Sequence, residues 1–332
     1  MANPELSQPP RPSLMRRYFR RVSGENAWFV LLLIPAVVIL LGVIVIPMLW
    51  TLKMSLANTS VSVVGGRGSV GGQFVGWRNY IFLLTDPQFW VALRETLYFW
   101  IVSIGIEVTL GIGMALLLNR PFRGFWLVRA VIFIPWAIPT VVNATLWGMI
   151  FNGNNYGALN DLLLRWHWIA APVVWLNPSP LFARIPWLSH ALSAIGSNLA
   201  INAIIVGDEW KTLPLVAFLV LAGLQMIPQD FYEAARIEGA SAWTQFNKIT
   251  LPLIGPVLSV VLILRTMQLL RAFTILFTLE GYGLPVLSIG AYQQAFSFGN
   301  FGIGSAEAFI IGVMALVIAY FYVRKLYREE MQ

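Results

Sequence analysis

Six stretches of this chain are apolar for longer than a soluble core requires, and polar connections separate them. They run at about 27–50, 96–118, 128–151, 200–227, 253–278 and 301–323. A helix of roughly 20 apolar residues crosses the hydrocarbon layer of a bilayer. The pattern therefore predicts an all-α membrane protein with six transmembrane helices. Pro135 and Pro139 fall in the third stretch and Pro214 in the fourth, as membrane helices tolerate when neighbours satisfy the freed carbonyls. A further run, 185–206, is interrupted by His190, Ser193, Ser197, Asn198 and Asn202. It reads as an outer helix or scoop leading into the fourth span, because a seventh crossing would reverse the charge bias described below. Residues 61–76 are rich in Gly, Val and Ser and read as an outer loop or hairpin. Residues 152–157 form a turn cluster.

Composition agrees with the pattern. The 332 residues are 58% hydrophobic and 11% charged, where a soluble protein carries about a quarter charged residues. The net charge of +7 is better placed beside spans than on nucleic acid. Arg11, Arg16, Arg17, Arg20 and Arg21 precede the first apolar stretch. That stretch is too long for a signal peptide and no small-x-small cleavage site follows, so it reads as a retained span. Arg120, Arg123, Arg129, Arg236, Lys248, Arg324, Lys325 and Arg328 fall on the side of the N-terminus, and fewer basic residues fall on the other. The bias puts both termini in the cytoplasm. The expected organisation is a basic tail at 1–26, a permease domain at 27–323 and a short tail at 324–332.

The chain contains no Cys and two His, His167 and His190. This excludes a disulfide framework and a thiol nucleophile. No phosphate-binding loop, zinc motif or nucleophile elbow occurs. No catalytic residue, metal site or bound cofactor is therefore expected. The ionisable residues inside spans stand out, since charge in lipid is costly and is a functional hypothesis by default. Arg265, Gln268 and Arg271 recur every three residues on the fifth span and share a face. Asp208, Glu209 and Lys211 cluster on the fourth, Glu107 lies in the second and Glu307 in the sixth. Arg265 falls near mid-membrane and needs a carboxylate partner or a wet cavity. Arg265, Gln268, Asn143, Lys211 and Asn202 are the candidate lining of a polar path. The competing role is interhelical pairing and snorkelling.

The connection 228–252 carries a further pattern. Pro228 suits a helix start, and Asp230 and Glu233 lie early in the segment 229–237, where a helix N-terminus favours negative charge. Gly239 permits a left-handed turn. A second short helix is expected at about 241–248, stopped by Leu251 and Pro252.

Glu233-Ala234-Ala235, three residues, Gly239, nine residues, Ile249, one residue and Leu251-Pro252 resemble the EAA loop of ATP-binding-cassette (ABC) importer permeases. The segments Phe74 to Tyr80, Asp86 to Trp90, Leu116 to Arg120, Trp210 to Pro214 and Leu221 to Pro228 resemble the sugar-importer group, in its F-type half. The usual Thr-x-Gly-Gly-Pro after span five stands here as Thr278 to Pro285 with Glu280, Tyr282 and Leu284 inserted into the pattern, and the outer segment 178–206 is long for the group. The resemblance implies a type I ABC importer permease architecture. It implies that Glu233, Ala234, Ala235, Gly239, Ile249, Leu251 and Pro252 form the socket for an ATPase. It also implies the partners: a second permease subunit, two ATPase subunits that use ATP and Mg, and an extracytoplasmic sugar-binding protein or lipoprotein. The location is a bacterial or archaeal cytoplasmic membrane. The substrate it suggests is a disaccharide such as trehalose or maltose. Glycerol-3-phosphate is the alternative within the family, and a self-sufficient secondary transporter is the alternative outside it.

Overall fold

The computed structural model describes residues 26–64, 67–121, 123–182 and 185–330. The expected basic tail therefore lies outside the described residues up to residue 25, as do residues 331 and 332. The chain divides into two compact units, Met1–Lys53 and Met54–Gln332.

The first unit is helical throughout its described part. Helix α1, Asn26–Ile39, widens into a π segment, Leu40–Val45, and resumes as α2, Ile46–Ser55. The widening directly precedes Pro47, whose ring would otherwise press on the carbonyl four residues back and which offers no N–H. Lys53 at the polar end lies over the Trp50 ring, 5.3 Å from its centroid.

In the second unit the chain forms a hairpin of β1, Ala57–Val64, and β2, Arg67–Phe74, paired antiparallel from Ala57 opposite Phe74 to Val64 opposite Arg67. This is the only sheet among the described residues, a small exception to an otherwise helical chain. Helix α3, Arg78–Thr85, leads into α4, Pro87–Leu118. The Asp86 side chain caps α4 by accepting from Gln88 N at 2.9 Å, with Pro87 at the first position. This capping starts the helix nine residues before the expected 96.

The third apolar stretch is two helices rather than one. α5, Phe125–Ala137, and α6, Thr140–Ile150, meet at 92°. Pro139 forces Ile138 into an extended conformation, φ −71° and ψ 131°, which breaks the helix there. The outer segment holds α7, Ala158–Arg165, and α8, Pro186–Ala194. The buried Asn160 stitches it together, donating to Val173 O at 3.0 Å and accepting from Val173 N and Trp175 Nε1 at 3.1 and 2.9 Å. The tempting run 185–206 breaks between Ala194 and Leu199, so no seventh crossing forms there.

Helix α9, Leu199–Gln225, is capped by Asn198, which accepts from Ile201 N at 2.8 Å. It lies against α4, and Ile112, Ala115, Val216 and Val220 form a buried seam between them. Gly111 allows the approach, since a Cβ there would meet Val216 Cγ1 at 2.7 Å. After α10, Gln229–Ile237, come α11, Ala242–Gln245, a π segment, Phe246–Thr250, and α12, Leu251–Leu253. Leu251 and Pro252 do not stop the second short helix as expected. The π segment absorbs the proline, and the chain turns only at Ile254 into α13, Gly255–Leu270.

The fifth stretch breaks at 271–273 before α14, Thr274–Glu280. α15, Leu287–Tyr292, a π segment, Gln293–Ser297, and α16, Phe301–Glu330, complete the chain. Among the described residues four helices are long and apolar enough to cross a membrane, or six if each bent pair is one span. α9 qualifies only within a bent pair: it is long enough alone, but Asp208, Glu209 and Lys211 interrupt it.

Candidate translocation cavity and coupling loop

Helix α10 is amphipathic and carries Asp230 in its first turn and Arg236 in its last, both matched to the helix dipole. Glu233 falls in the second turn rather than the first. The helix ends in a Schellman motif: Ala240 N donates to Ala235 O at 2.9 Å and Gly239 N to Arg236 O at 3.0 Å. That ending requires a left-handed residue, and Gly239 supplies φ +79°. Ser241 then caps α11, accepting from Thr244 N at 3.2 Å. A hydrogen bond of 3.0 Å between the hydroxyls of Tyr232 and Thr250 ties the two limbs. Glu233 and Ala234 are exposed, whereas Ala235 and Ile249 are half-buried and Thr250 is buried. The loop also shows apolar side chains to its surroundings: Ile237 is 89% exposed and Trp243 71%. Sequence reasoning missed these two; the signal was an apolar residue on the polar side of a surface helix.

A second site is built from three helices. Glu107 comes from α4, Asp208, Lys211 and Thr212 from α9, and Arg265 and Gln268 from α13. Arg265 lies ten residues into α13, about 15 Å along it, and is 4% exposed. Its Nε donates to Glu107 Oε1 at 2.7 Å, Nη1 to Gln268 Oε1 at 2.6 Å, and Nη2 to Asp208 Oδ2 at 3.1 Å and Thr212 Oγ1 at 3.2 Å. Nη2 also pairs with Glu107. Glu107 is fully buried, so Arg265 is what makes its charge tolerable. The carboxylates of Glu107, Asp208 and Glu209 lie close enough together to share a cation. The Arg265 guanidinium already pairs with two of them.

Beside this network opens a cavity of about 510 Å³, lined by Thr140, Asp208, Lys211, Thr212, Arg265, Gln268 and Arg271. Trp136, Leu215, Phe273 and Ile275 are among its apolar walls. Lys211 donates to Thr140 Oγ1 across it. The break between α5 and α6 places Thr140 there. Three residues of the expected path, Arg265, Gln268 and Lys211, thus meet at one cavity. Asn143 and Asn202 are not among its lining. Asn143 is buried and donates to Gly207 O at 3.0 Å, joining α6 to α9. Asn202 bonds Tyr98 at 2.9 Å and Ser197 at 3.1 Å. Both knit helices instead. Thr140 and Thr212 are lining residues that sequence reasoning did not place on the path, whereas Asp208 was among the in-span ionisable residues it singled out.

Residues 107–328 match the family described as "Binding-protein-dependent transport system inner membrane component". The chain belongs to this family. The permease is 37% identical over 297 residues to the trehalose/maltose transport system permease protein MalF of Thermococcus litoralis, covering 89% of this chain and 92% of that protein. It is 32% identical over 308 residues to the sulfoquinovosyl glycerol transport system permease protein SmoG of Agrobacterium fabrum, covering 91% of each. Its fold is similar to a chain of a bacterial ABC transporter involved in the import of the acidic polysaccharide alginate. That match has a TM-score of 0.69 and 21% identity, over 94% of this chain and 99% of that one. The permease therefore has the fold of an ABC importer permease.

Proposed function

We propose that this permease is one half of the membrane path of an ATP-driven sugar importer. It pairs with a second permease, and two ATPase subunits that use ATP and Mg dock on the loop 228–252 and its counterpart. An extracytoplasmic binding protein or lipoprotein delivers the sugar, and both termini lie in the cytoplasm of a bacterium or archaeon. The observation that carries the reading is the polar cavity beside Arg265. It offers hydrogen-bond donors and acceptors at mid-span, among them Thr140, Lys211, Thr212 and Gln268. Among the charged residues of its lining, Arg265 pairs with Asp208, and Lys211 and Arg271 add two further cations. Such a site can hydrogen-bond the hydroxyls of a sugar, and its volume falls in the usual range for small-molecule pockets. The relatives named for trehalose, maltose and a sulfoquinovosyl glycerol support a sugar, with a disaccharide such as trehalose or maltose as our first choice.

Glycerol-3-phosphate is the weaker reading: Arg265 commits most of its N–H groups to protein acceptors, which leaves Lys211 and Arg271 as the cavity cations that a phosphate would need. The exposed Ile237 and Trp243 beside Glu233, Ala234 and Ala235 support docking of the ATPase at this loop. ATP-driven closure of the ATPases would move the loop and rock the helices, a rigid-body transition of the kind that converts distant binding into gate movement. The test is ATPase stimulation and uptake by the reconstituted importer across trehalose, maltose, a sulfonated sugar and glycerol-3-phosphate. Stimulation by a neutral disaccharide is expected. Stimulation by glycerol-3-phosphate alone would overturn the sugar reading.

A further inference from the structure

A second cavity lies apart from the path. It measures about 360 Å³ and sits between the start of α4, the segment around α15 and the second turn of α16. Asp86, Glu307, Gln293, Gln294, Tyr282 and Phe298 line it. Glu307 is 4% exposed. Among the described residues its carboxylate has no hydrogen bond or ion pair, although it borders open space. Gly290 makes room for it, since a Cβ at that position would collide with the carboxylate. Asp86 uses one oxygen to cap α4. No Lys or Arg lines the cavity among the described residues. A buried carboxylate without a partner is costly. Two carboxylates, amide carbonyls and aromatic rings together form the chemistry that recognises an organic cation.

We propose that this cavity is a binding site for an ammonium or guanidinium group arriving from outside the cell. The group is carried either by a basic side chain of the docked binding protein or by a free cationic solute. The outward direction rests on the topology proposed above. Asp86 stands at the opposite end of the 32-residue α4 from Arg120, about 48 Å away along the helix, and Arg120 lines a cavity with the loop residues Tyr232, Arg236 and Trp243.

The test uses the complete importer in nanodiscs with its binding protein. Two quantities are read: binding-protein affinity at low and high salt, and thermal stabilisation by methylguanidinium chloride against sodium chloride of equal ionic strength. If the group is a side chain, Glu307→Gln weakens binding-protein affinity about tenfold or more at low salt, less at high salt. If it is a free solute, the same variant abolishes stabilisation by methylguanidinium and leaves binding-protein affinity unchanged. Gly290→Ala displaces the carboxylate while keeping its charge, gives a smaller loss in the same readout, and decides the matter should Glu307→Gln fail to assemble. Wild-type values for both quantities overturn the proposal. Labelling of Tyr282→Cys in intact cells by a membrane-impermeant maleimide reads the side of the cavity separately. Sugar-stimulated ATPase at saturating binding protein tests the sugar path separately, because Glu307 takes no part in that cavity.

Discussion

The proposed coupling loop and the Arg265 network differ in how each is held. The loop is local: a Schellman turn, a serine cap and one hydroxyl pair within residues 228–252 shape it. Its side chains are largely exposed, as the proposed docking of an ATPase requires. The network is built the other way. Arg265 and Glu107 are 158 positions apart in sequence, Arg265 and Asp208 57, and their geometry exists only when α4, α9 and α13 pack together. Damage to the loop should therefore spare the fold and break communication, whereas damage to the network should reach the fold as well.

The largest effect expected is from Arg265→Met. It strands Glu107 and Asp208 in the interior without their cation, which costs about 3–5 kcal/mol in comparable cases. Thermal stability of the purified importer should fall and uptake per assembled complex should collapse. Adding Glu107→Gln should recover part of the stability, and a stability equal to wild type in the single variant would separate the network from the fold.

Next in size is Ile237→Asp. Ile237 contributes nothing to packing inside the chain, being almost wholly exposed. At a docked interface its loss should weaken ATPase association by about tenfold or more, with permease stability unchanged. Cross-linking from Ala234→Cys or Ala235→Cys to the ATPase reads the same contact directly, since the chain has no native cysteine. An importer whose ATPase affinity survives Ile237→Asp would place docking elsewhere.

Gly239→Leu should cost about 1–2 kcal/mol of local strain from its left-handed backbone. Space is not the issue, because nothing lies within 4 Å of a Cβ there. The variant should stay in the membrane while ATP hydrolysis and uptake come apart. Gly239→Asn, which adopts the left-handed region more readily, should be nearly normal. Equal defects in both would show that backbone conformation is not what matters.

The smallest effect belongs to Gln268→Leu. It removes one acceptor from Arg265, which keeps both of its carboxylate partners, and one polar group from the cavity. Sugar preference should shift with little change in stability. An unchanged preference would leave Gln268 as a brace for Arg265 alone.

The loop was legible in the sequence because it is made of near neighbours. A glycine after an amphipathic turn, and a serine three residues before the amide that it caps, place helix ends without reference to the rest of the chain. The apolar stretches were legible for the same reason, since lipid demands length and apolarity of each segment alone. Arg265 announced itself as a charge too deep to lack a partner, but several carboxylates were available and only packing chose Glu107 and Asp208 over Glu307. Asn143 and Asn202 carry the same local signal as a path residue, yet the rotation of their helices turned them to Gly207 and Tyr98. The break at Pro139 was latent in the sequence as a tolerated proline. Its opening by 92°, which sets Thr140 opposite Lys211, depends on the neighbours that hold both halves. Spans, caps and the loop thus follow from short-range chemistry, whereas the partner of each buried polar group follows from helix rotation and register, which only the packed bundle determines.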